Sequence, residues 1–204
     1  MKNHELRHLG VLATNWVLAI AYGLFAYAHV QKFLEEPRLS LILIVVIETL
    51  LVLFLLIRRD PDQTWHSWYT WLTTAGGTIA PLLVRGTAAT SDVLLGQVFQ
   101  VTGFVFQIGA TISLNRRFGL LPAHRGVASQ GLYRLVRHPI YAAHTLSFIG
   151  YLISNFNLYN ASIFVAGTTF QVLRIYNEER LLIEYPDYEV LMQKTRWRLF
   201  PYVW

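Results

Sequence analysis

Two polar clusters lie in the C-terminal half of the chain, on either side of an almost uncharged apolar stretch. The first is the pentapeptide Arg137-His138-Pro139-Ile140-Tyr141, and the second combines Arg174 with Glu178 and Glu179. Charged residues at the edge of a membrane bundle cost free energy to place, so they usually mark function. Because both clusters flank the same stretch, which predicts a helical hairpin, we expect folding to bring them together.

The spacing within each cluster limits the chemistry it can do. Proline is favoured at the first turn of a helix, so Pro139 predicts a helix start with free backbone N–H groups. Arg174 and Glu178 are four residues apart and share one helix face, where an exposed ion pair is worth ~0.3–0.5 kcal/mol. Each cluster alone also fits an ordinary helix start or ion pair. Two adjacent carboxylates on a side otherwise rich in arginine, however, indicate a cationic ligand.

The composition indicates an integral membrane protein. Of the 204 residues, 54% are hydrophobic and only 14% are charged, whereas a soluble domain is roughly 25% charged. There are no cysteines, which excludes disulfides, a cysteine nucleophile and cysteine-ligated metals. No metal site is expected. The net charge of +5 is better explained by membrane topology and anionic lipid than by nucleic acid.

Apolar runs of about 20 residues predict an all-α, polytopic membrane bundle. The predicted spans cover residues 11–33, 39–57, 65–84, 92–114, 139–155 and 158–176. The third is interrupted by Gly76, Gly77 and Pro81, so the bundle has six spans, or five if this segment does not cross. Residues 1–114 hold four N-terminal spans. Residues 115–204 form the pocket-bearing region, with two spans and a polar tail, in one integrated domain.

The distribution of positive charge predicts the topology. With the N-terminus inside, only Lys32, Arg38 and Arg85 of the 17 lysines and arginines fall on the outer side. This asymmetry places both termini, the basic loop 115–138 and the tail in the cytoplasm. We expect a multi-pass protein of a prokaryotic inner membrane whose polar clusters face the cytosol. Glu48 lies in the middle of the second span, where a packing role and a functional role both remain open.

The ordered set of motifs in residues 115–201 resembles the isoprenylcysteine carboxyl methyltransferase family, which is similar in turn to the membrane phospholipid methyltransferases. The resemblance is carried, in order, by Gly131-x-Tyr133, the pentapeptide 137–141, the apolar hairpin, Glu178-Glu179-x-Leu181-Leu182 and Arg198-x-x-Pro201. It implies that S-adenosylmethionine binds in a cytosolic pocket made by the loop, the last two spans and the tail.

The resemblance also assigns roles to individual positions. The residues implied to bind the cofactor are Arg125, Gly126, Val127, Ala128, Tyr133, His138, Pro139, Ile140, Tyr141 and Glu178. Arg174 matches an arginine that handles the substrate and is the predicted catalytic residue. Arg137, His144, Glu179 and Arg198 are further candidates for the site. Arg125 departs from the histidine often found at its position.

Several functions remain open from the residues themselves. A carboxylate acceptor needs no base and could be held by Arg174, whereas a lipid amine must lose a proton, for which Glu179 or His138 is suited. A nicotinamide-dependent lipid reductase would require arginines for the nucleotide phosphates, which the paired glutamates would repel. A non-enzymatic transport subunit would use polar residues inside the bundle, such as Glu48. The expected partners are the bilayer and a lipophilic or lipidated substrate.

Overall fold

The structure is a computed structural model that describes residues 2–61, 63–64, 67–85 and 93–204, excluding the side chains of 2–9, 11, 63 and 64. The predicted starts of the third and fourth spans, Trp65 and Asp92, lie outside the described residues. The chain is mainly helical, as the apolar runs predict. The helices are α1 (Lys2–Glu35), α2 (Leu39–Ile57), α3 (Trp68–Ile79), α4 (Leu94–Leu114), α5 (Pro139–Ser154), α6 (Leu158–Leu182) and α7 (Pro186–Lys194).

Short 3-10 turns and one pair of strands complete the described secondary structure. The turns cover Ala80–Leu83, Asn115–Arg117 and Gly131–Arg134. Strand β1 (Gln63–Thr64) pairs antiparallel with β2 (Ala123–His124), with Gln63 opposite His124. This two-residue ladder was not predicted, because neither segment has the alternating apolar pattern of a strand.

Among the residues that the structure describes, three helices are long and apolar enough to cross a membrane: Leu12–Glu35 of α1, α2, and Leu94–Arg117 at α4. The other three predicted spans stay predictions. Helices α3 and α5 have 12 and 16 residues, fewer than the ~20 of a full span. Helix α6 has 25 residues, but its last turns are charged. Much of α1 exposes large apolar side chains such as Val17, Ile20 and Leu24, which suits contact with lipid.

The helices pack in pairs. Helix α1 lies against α2, α4 against α5, and α3 against α6, while α2 also contacts α4. Small residues form the contact between α4 and α5, as in many membrane helix pairs. A Cβ atom added at Gly103 would collide with the backbone nitrogen of Ser147, and one at Gly150 would collide with that of Gln100. The two backbones are therefore in direct contact.

Hydrogen bonds to main-chain carbonyls join the segments 57–59 and 115–117 on one side of the bundle, which we call the loop side. The Arg59 N–H donates to the carbonyl of Arg116 at 2.8 Å, and Arg116 Nε donates to the carbonyl of Ile57 at 2.7 Å. Together with the β1–β2 ladder, these bonds attach the end of α2 to the loop that follows α4. The same loop leads into α5, so the loop side positions the first polar cluster.

Candidate active site

A cavity of about 670 Å³ extends from the loop side into the bundle and is lined by residues from each of the helices α1 to α7. Its volume lies within the ~300–1,000 Å³ typical of small-molecule sites. Polar side chains line the loop side, including Arg125, Tyr133, His138, Tyr141, Arg174 and Glu178. Apolar side chains such as Leu18, Phe25, Ile47 and Phe104 line the part between α1, α2 and α4.

The segment 125–128 forms one wall of the cavity and is fixed by its backbone. The Val127 N–H donates to the carboxylate of Asp187, in α7, at 3.2 Å. Gly126 has a φ of +81°, in the left-handed region that glycine adopts without strain. The turn at Gly126 lets the segment follow the cavity wall, and Arg125 at its start is buried against it.

Helix α5 begins at Pro139, as its sequence predicts, and the residues before it pair with the C-terminal tail. The Arg137 N–H donates to the carbonyl of Trp197, and the His138 N–H donates to that of Arg198, both at 2.9 Å. Pro139 occupies the first turn, where its missing N–H costs no hydrogen bond. The tail therefore holds the first polar cluster in place through main-chain bonds.

Tyr141 and Glu178 meet at the cavity wall. The Tyr141 hydroxyl donates a hydrogen bond to Glu178, and His138 Nδ1 lies 3.8 Å from Glu178 Oε2. The Glu178 side chain is 22% exposed and lines the cavity. Burial, and then the charge of Glu178, raise the pKa of Tyr133, so its hydroxyl stays neutral. The site thus offers one accessible carboxylate beside two neutral phenols.

Glu179 does not line the cavity and instead receives four hydrogen bonds on the side of the tail. Its Oε1 accepts from Arg137 Nε at 2.8 Å, from the Tyr188 hydroxyl at 3.1 Å and contacts His138 Nε2 at 3.2 Å. Its Oε2 accepts from Arg198 Nε at 2.7 Å. Burial alone would raise the pKa of Glu179, but His138 and the two arginines outweigh it and lower that pKa well below its usual range. Glu179 is therefore a charged anchor for the tail.

Arg174 is buried at the wall between the polar and apolar parts of the cavity. Its Nη2 donates to the carbonyl of Leu120 at 2.9 Å, and its guanidinium lies 5.3 Å from the centre of the Tyr141 ring. Its Nε has no hydrogen-bond partner in the described part of the chain, although the residue is only 8% exposed. Arg174 therefore keeps an unused donor beside the cavity and does not pair with Glu178 as their spacing allows.

A second ionisable pair lies deep in the cavity. Glu48 Oε2 is 3.0 Å from His29 Nδ1, which joins α1 to α2, and both residues line the cavity. Glu48 precedes the end of α2 by nine residues, roughly 14 Å along the helix axis. Tyr22, on α1, also lines the cavity. Polar groups thus continue along the wall into the apolar part.

The structure brings most of the predicted site residues to one cavity. Those implied to bind the cofactor and found in its lining are Arg125, Gly126, Val127, Ala128, Tyr133, His138, Ile140, Tyr141 and Glu178. Arg174, Arg137 and His144 line it too. Pro139, Glu179 and Arg198 do not: the first is packed at the helix start, and the other two bond to each other.

Several residues at the site were not predicted. Tyr22 belongs to the first apolar span and nothing in its spacing indicates a site. His29, a lone histidine near the end of that span, fits a structural or a titrating role but is not assigned to the site. Arg117 lines the cavity, but in the sequence it is one charge among many in a basic loop. Tyr188, which bonds to Glu179, lies in the polar tail, where its residue type and spacing indicate no site.

The fold and the cavity define an integral membrane protein whose ionisable groups face an internal, partly apolar site. The family model for phospholipid methyltransferases matches residues 84–185, half of the chain, and the chain belongs to that family. The family indicates a membrane methyltransferase that acts on a lipid-like substrate. The narrower resemblance to isoprenylcysteine carboxyl methyltransferases stays a prediction. No curated protein matches the chain.

Proposed function

We propose that this protein transfers a methyl group from S-adenosylmethionine to a lipophilic acceptor at the cytosolic face of a membrane. The observation that carries the proposal is the continuity of one cavity. It joins a polar end, where Glu178 and Tyr141 lie, to an apolar end between α1 and α2. A charged methyl donor and a lipid acceptor can therefore occupy the same cavity, each at one of its two ends.

The residues at the polar end fit the methyl donor. Its sulfonium and ammonium groups are cations, and the partly buried Glu178 carboxylate faces the cavity. Its carboxylate is an anion, and Arg125 has a buried Nε without a partner among the residues described. When bound, S-adenosylmethionine supplies an activated methyl group, so the protein needs no nucleophile. The protein's part is to fix in-line geometry and exclude water.

Arg174 suits an acceptor that carries a carboxylate. Its free Nε, its burial and its place between the polar and apolar parts allow a charge-assisted bond to an anion at the boundary. A carboxylate of the prenylcysteine type would then be held with its lipid chain toward α1 and α2. A carboxylate attacks without losing a proton, so this reaction requires no base.

A second acceptor, the amine of a phospholipid, is favoured by the family of the chain. An ammonium group must lose a proton before it can accept a methyl group. His138 lines the cavity and lies within 3.8 Å of Glu178, so its ring is placed to take that proton. The family match favours methyl transfer over the lipid reductase and the transport subunit.

Ligand binding to the detergent-purified protein tests the proposal. We expect S-adenosylmethionine and S-adenosylhomocysteine to bind and NADPH not to bind. Glu178→Gln should weaken the affinity for S-adenosylmethionine by about tenfold or more, because a charged contact is lost. Glu184→Gln, an exposed carboxylate close by, is the matched control. NADPH binding without S-adenosylmethionine binding would overturn the proposed function.

The acceptor is identified by transfer of a labelled methyl group. A farnesylated cysteine derivative and phosphatidylethanolamine should be compared with the same enzyme preparation. Arg174→Gln should raise KM or lower kcat for the carboxylate acceptor while the affinity for S-adenosylhomocysteine is unchanged. If Arg174→Gln affects both acceptors and the donor equally, Arg174 has no specific role toward a carboxylate.

A further inference from the structure

Four arginines lie near one another on the loop side, and two of them, Arg117 and Arg125, line the cavity. Arg58 and Arg59 follow the end of α2, Arg117 ends the turn after α4, and Arg125 follows β2. A Cβ atom added at Gly126 would lie 3.5 Å from Arg117 Nε and 3.7 Å from Arg59 Nη1. Arg125 in turn feels the charge of Arg58. We call these four residues the arginine cluster.

The main chain builds this cluster from segments that are far apart in sequence. Strand β1 (Gln63–Thr64) pairs with β2 (Ala123–His124), and the Arg59 N–H donates to the carbonyl of Arg116. Arg116 Nε also bonds to the carbonyl of Ile57. These bonds keep like charges together against their repulsion, so the cluster is a built feature of the fold.

The cluster has more donors than the described protein groups satisfy. The Nε atoms of Arg58, Arg117 and Arg125 are buried and have no hydrogen-bond partner within residues 2–61, 63–64, 67–85 and 93–204. Arg125 is only 7% exposed, and it lines the cavity together with Arg117. Burial, and then the charge of Arg58, lower the pKa of Arg125 to about 10, although Asp60 and Glu178 oppose this. Buried guanidinium donors without acceptors favour binding of an anion.

We propose that the arginine cluster is an oxyanion-binding site that takes a phosphate or carboxylate group of a ligand in the cavity. Arginine forks bind such groups through paired N–H donors. The source of the oxyanion rests on the proposed function: it is either the carboxylate of the methyl donor or the phosphate of an acceptor headgroup. Arg58 and Arg59 precede the matched residues 84–185, so the site does not follow from the family match.

Calorimetric titration of the full-length protein in neutral detergent tests the site with two pairs of probes. Dihexanoyl phosphatidic acid is compared with dihexanoylglycerol, which lacks the phosphate. S-adenosylhomocysteine is compared with its decarboxylated analogue. Arg58→Gln and Arg117→Gln should each weaken binding of an oxyanion probe by about tenfold or more. Arg117→Lys keeps the positive charge but lacks the paired N–H donors of a guanidinium, so it should lose less affinity than Arg117→Gln.

Arg134→Gln is the control for charge alone, because Arg134 is exposed on the same loop and does not line the cavity. It should bind every probe as the wild type does. If the cluster variants lose affinity only for phosphatidic acid, the site binds an acceptor phosphate. A loss confined to S-adenosylhomocysteine, with the decarboxylated analogue unaffected, assigns it to the donor carboxylate. Thermal unfolding shows whether each variant is folded. If Arg117→Gln does not fold, the affinity of Arg117→Lys for the oxyanion probes is the test at this position.

Two results would overturn the oxyanion site. One is a wild-type protein that binds neither oxyanion probe better than its neutral counterpart. The other is a set of cluster variants that bind as the wild type does, or no worse than Arg134→Gln. Failure of the proposed function is distinguishable, because it appears as a wild-type protein that binds neither S-adenosylmethionine nor S-adenosylhomocysteine, whatever the phosphate probes show.

Discussion

Replacing Glu179 with glutamine should destabilise the fold, whereas the same change at the adjacent Glu178 should mainly weaken ligand binding. Glu179 joins α6 to the start of α5 and to the tail through Arg137, His138 and Arg198. Glu178 faces the cavity instead. Two adjacent residues of the same type therefore have separable effects, because one is an internal anchor and the other lines the site.

The size of the effect follows from the burial of the Glu179 contacts. The side chains of Arg137 and Glu179 are 7% and 11% exposed, and removing one partner of a buried ion pair costs about 3–5 kcal/mol. Glutamine still offers one acceptor oxygen, so we expect the lower end, about 3 kcal/mol. Arg198, 31% exposed, adds little. A loss of 1 kcal/mol lowers the midpoint temperature of thermal unfolding by roughly 2–4 °C for a chain of this size, so the midpoint should fall by about 6–12 °C.

Thermal unfolding of the detergent-purified protein measures this difference. Wild type, Glu179→Gln, Glu178→Gln and Glu184→Gln are compared at pH 7, with calorimetric binding of S-adenosylhomocysteine on each. The exposed control Glu184→Gln should change the free energy of unfolding by no more than ~0.5 kcal/mol. An unchanged midpoint for Glu179→Gln, or an equal fall for Glu178→Gln, would show that the division of roles is wrong.

Three further outcomes are expected. Because the pKa of Glu179 is lowered by folding, its contribution to stability is complete above its ordinary value of 4.5 and is lost as the pH falls below it. The midpoint of the wild type should therefore fall more steeply below about pH 5 than that of Glu179→Gln. Gly103→Ala should lower the midpoint by several degrees in the same scan, because its Cβ would force α4 from α5, whereas Gly23→Ala, which faces open space, should not. Glu48→Gln, which removes the negative charge from the contact with His29, should raise the acceptor KM in a methyl-transfer assay. It should leave the affinity for S-adenosylhomocysteine unchanged, because sites more than ~10 Å apart act independently.

Helices were predicted well where their bounds depend on one short segment, such as an apolar run or a proline. The apolar run 39–57 gives α2 with the predicted bounds, and Pro139 marks the start of α5. These features depend on composition and on the geometry of one residue. The polar half of the cavity was also predictable in outline, because the two clusters flank one hairpin and must return to the same side.

The remaining features depend on contacts between distant segments, which spacing alone does not show. The resemblance assigns Glu178 to the cofactor pocket and leaves Glu179 as a further candidate, but spacing alone does not show that Glu179 instead bonds to the start of α5 and to the tail. Arg59 and Arg117 come together beside a strand pair of two residues on each side, which is too short to leave a periodic pattern. Glu48 stands out in its span, but its partner His29 lies on another helix, and neither span alone shows that the two meet.

The glycine contact between α4 and α5 has a consequence for how a lipid reaches the site. Two helices whose backbones touch at Gly103 and Gly150 cannot slide or separate without losing the closest packing in the bundle. That wall of the cavity is therefore stiff. Helix α1 is held mainly by α2 and exposes most of its apolar surface, so it can shift at lower cost. We expect a lipid tail to enter the cavity laterally from the bilayer, past α1, when α1 moves relative to α2.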